Sequence, residues 1–205
     1  QHARIGYLPG EFRIWPRLTA ARALRVLASF GNDGKATGKR RNELAQRLEL
    51  DMGQKMGRLS RGNRQKVGVI YAFQHQPDVL ILDEPTTGLD PLMRQVVLDL
   101  IREAAGEGAT VLLSSHELSE VAAVCGRAGI LREGRLVELA PISEIVRKGE
   151  RRLKVWFVGE AEPPALPEDR LADVRVVESA PGMLDLAYRG PADPILKWLG
   201  RHSVD

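Results

Sequence analysis

The stretch LDEPTTGLD, residues 82–90, decides the fold that we predict for this chain. It continues an apolar run that begins at Val79, and such a run is typical of a strand buried on both faces of a parallel sheet. Ligands of open α/β sheets bind beyond the carboxyl ends of the strands. Asp83 and Glu84, which end the run, are therefore predicted to face a ligand.

Two adjacent carboxylates at this place suit a phosphate-processing site. The first acid, Asp83, would hold Mg²⁺, and the second, Glu84, would orient or deprotonate an attacking water. An apolar strand followed by Asp-Glu also arises by chance. Taken alone, the pair is equally compatible with a strand that leads into a capped turn.

Three neighbouring segments strengthen the hypothesis of a site. Upstream, LSRGN at residues 59–63 puts a serine, a glycine and an amide at the start of a predicted helix, where free N–H groups and the helix dipole favour a phosphate. Downstream, residues 87–90 form a turn directly after the acids, and His116 follows the next apolar strand. Each has a simple structural explanation: an N-cap, an Asp-capped helix, an exposed loop histidine. Their joint occurrence in this order favours one shared site.

The pattern along the rest of the chain predicts a layered α/β sheet with crossover connections. A short strand over 5–8 precedes a mostly helical region, with helices predicted over 19–30, 41–50 and 61–74. Beyond the central stretch, the predicted elements are a helix over 90–106, a buried strand over 110–113, a helix over 117–124 and paired strands over 129–132 and 135–139. Past residue 149 a small α+β region follows, with strands over 153–158, 174–177 and 183–188 and a helix over 194–199.

The composition excludes several classes of function. The 205 residues are 43% hydrophobic and 28% charged, as in ordinary globular proteins, and no apolar run reaches membrane-spanning length. The single cysteine, Cys125, excludes an internal disulfide. The net charge of +3 comes from scattered basic residues, with local clusters at 35–41 and 147–154. Because no aromatic residues or recognition motif accompany these clusters, we expect a solvated face or an anionic membrane surface rather than nucleic acid.

With these motifs the sequence resembles an ABC-type ATPase, in particular the cytoplasmic subunit of an ABC-2-like exporter. The match runs in order through the family's signature LSGGQ at 59–63, Walker B at 80–84, the D-loop at 87–90 and the switch histidine at His116. In the signature, Arg61 replaces glycine and Asn63 replaces glutamine. Both changes are compatible with phosphate contact through Ser60 and Gly62. The resemblance covers residues 5 to about 144 and is less specific beyond them.

The resemblance implies a partial ABC-type P-loop NTPase fold, which is α/β with a helical subdomain, a mainly parallel sheet core and a small C-terminal α+β extension. We expect the partial ATPase domain over 1–148. Within it, the helical signature subdomain would span about 12–75 and the core about 76–148. An accessory domain would occupy 149–205.

The resemblance also implies roles for individual residues. Asp83 would help to hold Mg²⁺, Glu84 would polarise the hydrolytic water, and His116 would contact the γ-phosphate of ATP. A second group would close over ATP held by another ATPase subunit or lie at that interface, and its members are Ser60, Arg61, Gly62, Asn63 and Asp90.

The way in which such a subunit works follows from the same resemblance. ATP and Mg²⁺ are the expected ligands, ATP joins two ATPase subunits, and hydrolysis releases them, which moves attached transmembrane permease subunits. The expected location is cytoplasmic, on the inner face of the cell membrane. Two alternatives stay open: a soluble ABC ATPase acting in translation or on DNA, and a non-enzymatic regulatory subunit that keeps the fold.

The chain departs from the family at the phosphate cradle. The Walker A loop, Gly-x-x-x-x-Gly-Lys-Ser/Thr, is missing from the sequence. Residues 31–40 contain Gly34-Lys35 and Gly38-Lys39, but neither lysine precedes serine or threonine, so we predict a plain loop there. We expect truncation at the N-terminus, and a chain that on its own binds ATP weakly and hydrolyses it poorly.

A second departure follows the predicted strand over 5–8. The family places a glutamine here that ligates Mg²⁺, whereas this chain has Gly10 followed by Glu11. Gly10 is compatible with a plain turn and also with a modified metal contact in which Glu11 substitutes. Trp15 is compatible both with an exposed position in a groove for the transmembrane partner and with buried packing.

Overall fold

The structure is a computed structural model that describes residues 4–30, 35–149, 151–158, 163–166, 174–189 and 192–201. The chain divides into two compact units, Gln1–Val124 and Cys125–Asp205. This division falls earlier in the chain than the domain boundary expected near residue 148, which stays a prediction.

A parallel three-stranded sheet organises the first unit. Its strands are β1 (Ile5–Leu8), β2 (Val79–Asp83) and β3 (Thr110–Ser114), in the order β1-β2-β3. Both pairings are parallel, so β2 is central and the carboxyl ends of all three strands meet at one edge. Parallel neighbours need long connections, which helices supply here. The predicted α/β fold with a parallel sheet is confirmed.

Helices connect the strands of this unit, and three of them begin directly after a capping residue that the sequence indicates. They are α1 (Ala20–Ala28), α2 (Lys35–Arg47), α3 (Arg61–Phe73), α4 (Pro91–Gly106) and α5 (Leu118–Val124), with a 3₁₀ turn over Met56–Arg58 before α3. The side chains of Thr19, Ser60 and Asp90 accept backbone N–H bonds at the starts of α1, α3 and α4. Each cap satisfies a donor that has no partner within the helix.

The second helix begins earlier than predicted. We expected a loop over 31–40, but α2 already starts at Lys35, while residues 31–34 lie outside the described part of the chain. Gly38 costs a helix only about 1 kcal/mol relative to alanine. Thr37 is buried, and Lys39 and Arg40 pair with Glu43 about one turn later, with N–O distances of 3.8 and 3.9 Å. These contacts of the first turns offset the cost of Gly38.

The core of the first unit lies on one face of the sheet. Leu8, Leu80 and Leu82 are buried there against side chains of α3 and α4. No described residues cover the opposite face fully, and the side chains of Tyr7 and Leu112 on it are 50% and 65% exposed. Val79 and Ile81 of β2 are only partly buried, so the prediction that the strand over 79–82 is buried on both faces is wrong. The exposure of Leu112 likewise contradicts the predicted buried strand over 110–113.

Antiparallel strands dominate the second unit. A hairpin of β4 (Arg127–Arg132) and β5 (Arg135–Pro141) precedes a short helix, α6 (Ile142–Lys148), that the sequence did not indicate. A second sheet has the order β6-β8-β7, and its elements are β6 (Arg151–Trp156), β7 (Val174–Ala180), β8 (Met183–Tyr188) and the closing helix α7 (Asp193–Leu199). Phe157 and Trp198 meet edge to face in its core, with ring centroids 6.2 Å apart. In the described residues, no helix is long and apolar enough to cross a membrane.

A two-pronged ion pair joins α2 to α4. The Arg47 guanidinium donates to both oxygens of Glu103 at 2.6 and 2.7 Å. This hydrogen bonding lowers the pKa of Glu103 below its ordinary value of 4.5 against the opposing effect of partial burial. Because the pKa of Glu103 is lower in the folded than in the unfolded state, the pair adds stability at pH values above the ordinary pKa. This contribution is lost as the pH falls through the folded-state pKa.

We therefore expect Glu103→Gln to lower the free energy of unfolding at neutral pH by about 0.5–1 kcal/mol, since the pair is partly exposed. The difference from the wild type should vanish in acid, which urea unfolding at several pH values measures. Glu107→Gln, at the C-terminal end of the same helix, is the matched control. It should be no less stable than the wild type, because a carboxylate there opposes the helix dipole.

Candidate functional site

The carboxylate of Asp83 is oriented by two segments at the carboxyl edge of the sheet. The pairing of β2 with β3 places Asp83 beside Ser114, whose hydroxyl donates to Oδ1. The backbone N–H of Gly10, after β1, donates to Oδ2 at 3.2 Å. A Cβ atom at residue 10 would lie 2.9 Å from the same oxygen, so a side chain there would displace the carboxylate. Asp83 is exposed, and its oxygens face the edge where ligands bind.

The loop after β1 contacts the site through Gly10 and not through the side chain of Glu11. Glu11 pairs with Arg13, with Oε2 3.0 Å from Nη2. Gly10 therefore does more than form a turn, since its N–H holds a carboxylate that is a candidate metal ligand. A metal contact through Glu11 stays a prediction.

Glu84 and His116 form a direct pair next to Asp83. Nδ1 of His116 lies 2.8 Å from Oε2 of Glu84, and the Thr87 hydroxyl donates to the same oxygen at 3.3 Å. An ionised carboxylate only accepts hydrogen bonds, so Nδ1 carries the proton. Nε2, on the other side of the ring, points away from Glu84. The His116 side chain is 70% exposed and accessible to a ligand.

The backbone of Glu84 adopts a conformation that side chains disfavour. Its φ is +48°, in the left-handed region. Its N–H donates to the carbonyl and the hydroxyl of Ser114 at 3.2 and 3.1 Å. These bonds to the neighbouring strand end hold the residue in place, and the sharp turn directs the carboxylate towards His116.

The signature-like segment over 59–63 lies against the turn over 87–90. Ser60 caps α3 by accepting from the N–H of Asn63 at 3.1 Å. A Cβ atom at Gly62 would lie 2.5 Å from the carbonyl oxygen of Gly88, and one at Gly88 would lie 3.5 Å from Cγ of Arg61. Two segments that the sequence singled out separately are thus adjacent in space.

Asp90 begins α4 beside this contact. Its Oδ1 accepts from the N–H of Met93 at 3.0 Å. This hydrogen bond lowers the pKa of the exposed Asp90 carboxyl. The side chain therefore serves as a helix cap, and its expected place at a subunit interface stays a prediction.

Sequence reasoning missed a glutamine that supports the acids. Gln65 on α3 is 4% exposed, and its amide donates to the carbonyls of Glu84 and Pro85 at 3.0 and 3.3 Å. The signal was a polar residue shortly before the apolar run that starts at Val67, which is where a buried hydrogen bond is needed. Sequence reasoning also missed Glu120, a charged but buried residue on the short helix that follows His116.

The oxygen donors of the site fit Mg²⁺. In the described ranges, no three His, Cys, Asp or Glu side chains group as a metal cluster. Mg²⁺ is commonly held by one or two carboxylates together with phosphate oxygens and water. Asp83, with an exposed and oriented carboxylate, suits that role, and phosphates would have to supply further oxygens.

A parallel sheet with paired acids, a histidine and a helix N-terminus at its carboxyl edge is typical of α/β domains that process nucleotide phosphates. A family profile described as "AAA domain, putative AbiEii toxin, Type IV TA system" matches residues 22–122. The uncharacterized ABC transporter ATP-binding protein MJ1023 of Methanocaldococcus jannaschii is 34% identical over 72% of this chain and 57% of its own length. The Nod factor export ATP-binding protein I of Burkholderia orbicola is 34% identical over 87% of this chain and 60% of its own length.

Solved structures of ABC transporter ATP-binding subunits are also similar to this chain. An ATP-binding subunit of an ABC transporter shares 30% identity at a TM-score of 0.65, over 71% of this chain and 62% of that one. The dimeric ABC transporter cassette MJ0796, 24% identical at a TM-score of 0.61, is alike in fold. The chain belongs to the family of ABC transporter ATP-binding proteins. It spans a little more than half the length of the curated relative MJ1023.

The contact between Gly62 and Gly88 predicts how the two segments respond to substitution. Gly62→Ala forces the added Cβ against a backbone carbonyl, and we expect it to lower the free energy of unfolding by about 1–3 kcal/mol. Gly38→Ala is the control, because nothing lies within 4 Å of a Cβ at that helical position. It should stabilise the fold by roughly 0.5–1 kcal/mol. Urea unfolding of both variants tests this, and equal stabilities would contradict it.

Proposed function

We propose that this chain is part of the ATP-binding and ATP-hydrolysing subunit of an ABC transporter, and that it powers export through a membrane partner. The observation that carries the proposal is the 2.8 Å contact between Glu84 and His116, directly after Asp83. One edge of the sheet thus holds a carboxylate for a metal ion, a carboxylate for water and a histidine for phosphate. Membership of the ABC family supports this assignment of roles.

Each residue has a distinct task in the proposed reaction. Asp83 would hold Mg²⁺, which neutralises charge on the phosphates of ATP. Glu84 would accept a hydrogen bond from the attacking water and orient it towards the γ-phosphate. His116 keeps its proton on Nδ1 towards Glu84 and presents Nε2 outwards. The ring would contact the γ-phosphate on this outward side and help to position the water.

A second copy of the ATPase subunit would complete the site. In this proposal Ser60, Arg61, Gly62 and Asn63 close over ATP bound to the opposite subunit. The free N–H groups at the start of α3 suit a phosphate, and Arg61 adds a positive charge beside them. The close approach of Gly62 to Gly88 supports the proposal, because it joins the signature-like segment to the turn that ends at Asp90.

A groove beside Trp15 is our candidate contact for the permease subunits. Trp15 is 44% exposed, which is far from buried packing. It lines an apolar cavity of about 370 Å³ together with Pro16, Leu18 and Val26, and Arg17 is at the cavity as well. Exposed apolar surface of this kind is typical of interaction sites. We propose that the protein works at the cytoplasmic face of the membrane.

The export direction is the least constrained part of the proposal. The Nod factor protein is named for export, whereas another relative, from Ralstonia nicotianae and 37% identical over 57% of this chain, is named a methionine import ATP-binding protein. The former match covers 87% of this chain, against 57% for the latter. That coverage favours export.

Glu84→Gln tests the proposed chemistry in the full-length protein, with any sequence that precedes Gln1. The amide keeps the shape of the side chain but cannot act as a base. We expect ATP binding to persist, turnover to fall by about a hundredfold or more, and an ATP-bound dimer to accumulate in size-exclusion chromatography. Glu107→Gln is the control and should keep normal turnover. A Glu84→Gln protein with near wild-type turnover would overturn the role of Glu84.

The 205-residue chain itself should bind ATP weakly. It has no Gly-x-x-x-x-Gly-Lys-Ser/Thr loop to surround the β- and γ-phosphates. We expect isothermal titration with MgATP to give a dissociation constant in the millimolar range, which corresponds to a binding free energy of about −4 kcal/mol. Phosphate release should be barely measurable. Tight binding that depends on Mg²⁺ would mean that residues other than a Walker A loop hold the phosphates.

A further inference from the structure

The buried carboxylate of Glu120 has no task in the proposed reaction. Glu120 lies on α5 and is 7% exposed. Its Oε2 accepts two hydrogen bonds, from the Thr86 hydroxyl at 2.7 Å and from the Ser115 hydroxyl at 2.9 Å. Bonds to an ionised group are about twice as strong as neutral ones. One oxygen therefore holds two side chains from different parts of the chain.

The two donors sit beside the two members of the Glu84–His116 pair. Thr86 follows β2 and precedes Thr87, whose hydroxyl donates to Glu84 at 3.3 Å. Ser115 follows β3 and directly precedes His116. The loop after β2 and the loop after β3 are thus joined twice, once through Glu84 and His116 at the surface and once through Glu120 beneath them. A shift of either loop would strain both connections.

The charge of Glu120 is balanced by Arg94 on α4. Oε1 of Glu120 is buried and makes no hydrogen bond among the described residues, and Nη1 of Arg94 lies 3.9 Å from it. Arg94 also donates to Glu117 at 2.7 Å and to the carbonyl oxygen of Leu89 at 3.1 Å. A buried charge costs free energy that apolar packing would avoid. The arrangement thus gives the loops after β2 and β3 a defined position rather than added stability.

We propose that Glu120 is a positioning residue that sets the distance and orientation between Glu84 and His116. It acts through Thr86 and Ser115, which carry the constraint to the two loops. The predicted effect on turnover rests on the proposed function of Glu84 and His116. The predicted effect on the geometry of the pair does not.

The geometry can be tested in the 205-residue chain by NMR with labelled histidine. The chain has four histidines, and the His116 ring signals are assigned by their loss in His116→Gln. Glu84→Gln gives the ring shifts of a His116 without its carboxylate partner. Thr86→Val keeps the shape of Thr86 but removes its hydroxyl, so we expect it to move the His116 signals part of the way to those of Glu84→Gln. Thr86→Ser should restore the wild-type shifts.

Two further variants provide a second test and a control. Ser115→Ala removes the second donor and should move the His116 signals in the same direction, which also serves if Thr86→Val fails to fold. Ser29→Ala removes a hydroxyl bond to the carbonyl of Val26, at the end of α1, and should leave His116 unchanged. Wild-type His116 shifts in both Thr86→Val and Ser115→Ala would overturn the proposal.

Turnover of the full-length protein separates this proposal from the proposed function. Thr86→Val should lower kcat roughly tenfold and leave the KM for ATP nearly unchanged, because misplaced catalytic groups slow the reaction without weakening binding. Thr86→Ser should restore kcat. If Glu84→Gln abolishes turnover while Thr86→Val keeps wild-type kcat, the positioning role is wrong. If Glu84→Gln itself keeps turnover, the proposed function fails, and the His116 shifts alone decide the role of Glu120.

Discussion

The in-register pairing of β2 with β1 on one side and β3 on the other is the constraint on which the site depends. It brings Asp83 level with Ser114, which then donates to the carboxylate and accepts from the backbone of Glu84. Leu80 and Leu82 fix this register, because a slip of one residue would turn both from the core to the open face. The apolar residues of β2 therefore determine the place of the acids as well as the stability of the sheet.

Much of this architecture could be predicted because its signals are local. The apolar run before Asp83, the capping side chains and the order of the motifs all lie within short stretches of sequence. The start of α2 was mispredicted because Gly34 and Gly38 indicate a loop, although a glycine costs a helix only about 1 kcal/mol. Glu120 was missed for another reason, since it meets Thr86 over a separation of 34 residues in sequence. Single residues that act through distant partners leave little trace in a local pattern.

The open face of the first sheet shows the limit of composition as a guide. The apolar strand residues predicted burial on both faces, yet Leu112 is 65% exposed in the described part of the chain. Strand composition reports the surroundings to which a strand is suited, and not the surroundings that it has. The face that carries Tyr7 and Leu112 is suited to contact with further apolar surface.

The left-handed backbone of Glu84 sets the stability of the fold against the chemistry proposed for this residue. A side chain at a φ of +48° costs on the order of 1 kcal/mol that glycine would not. Selection for a more stable fold alone would favour loss of the carboxylate here. In the proposed reaction, the carboxylate at this position orients the attacking water, which glycine could not do. On that proposal, libraries screened only for thermostability should enrich variants at residue 84 that lack turnover.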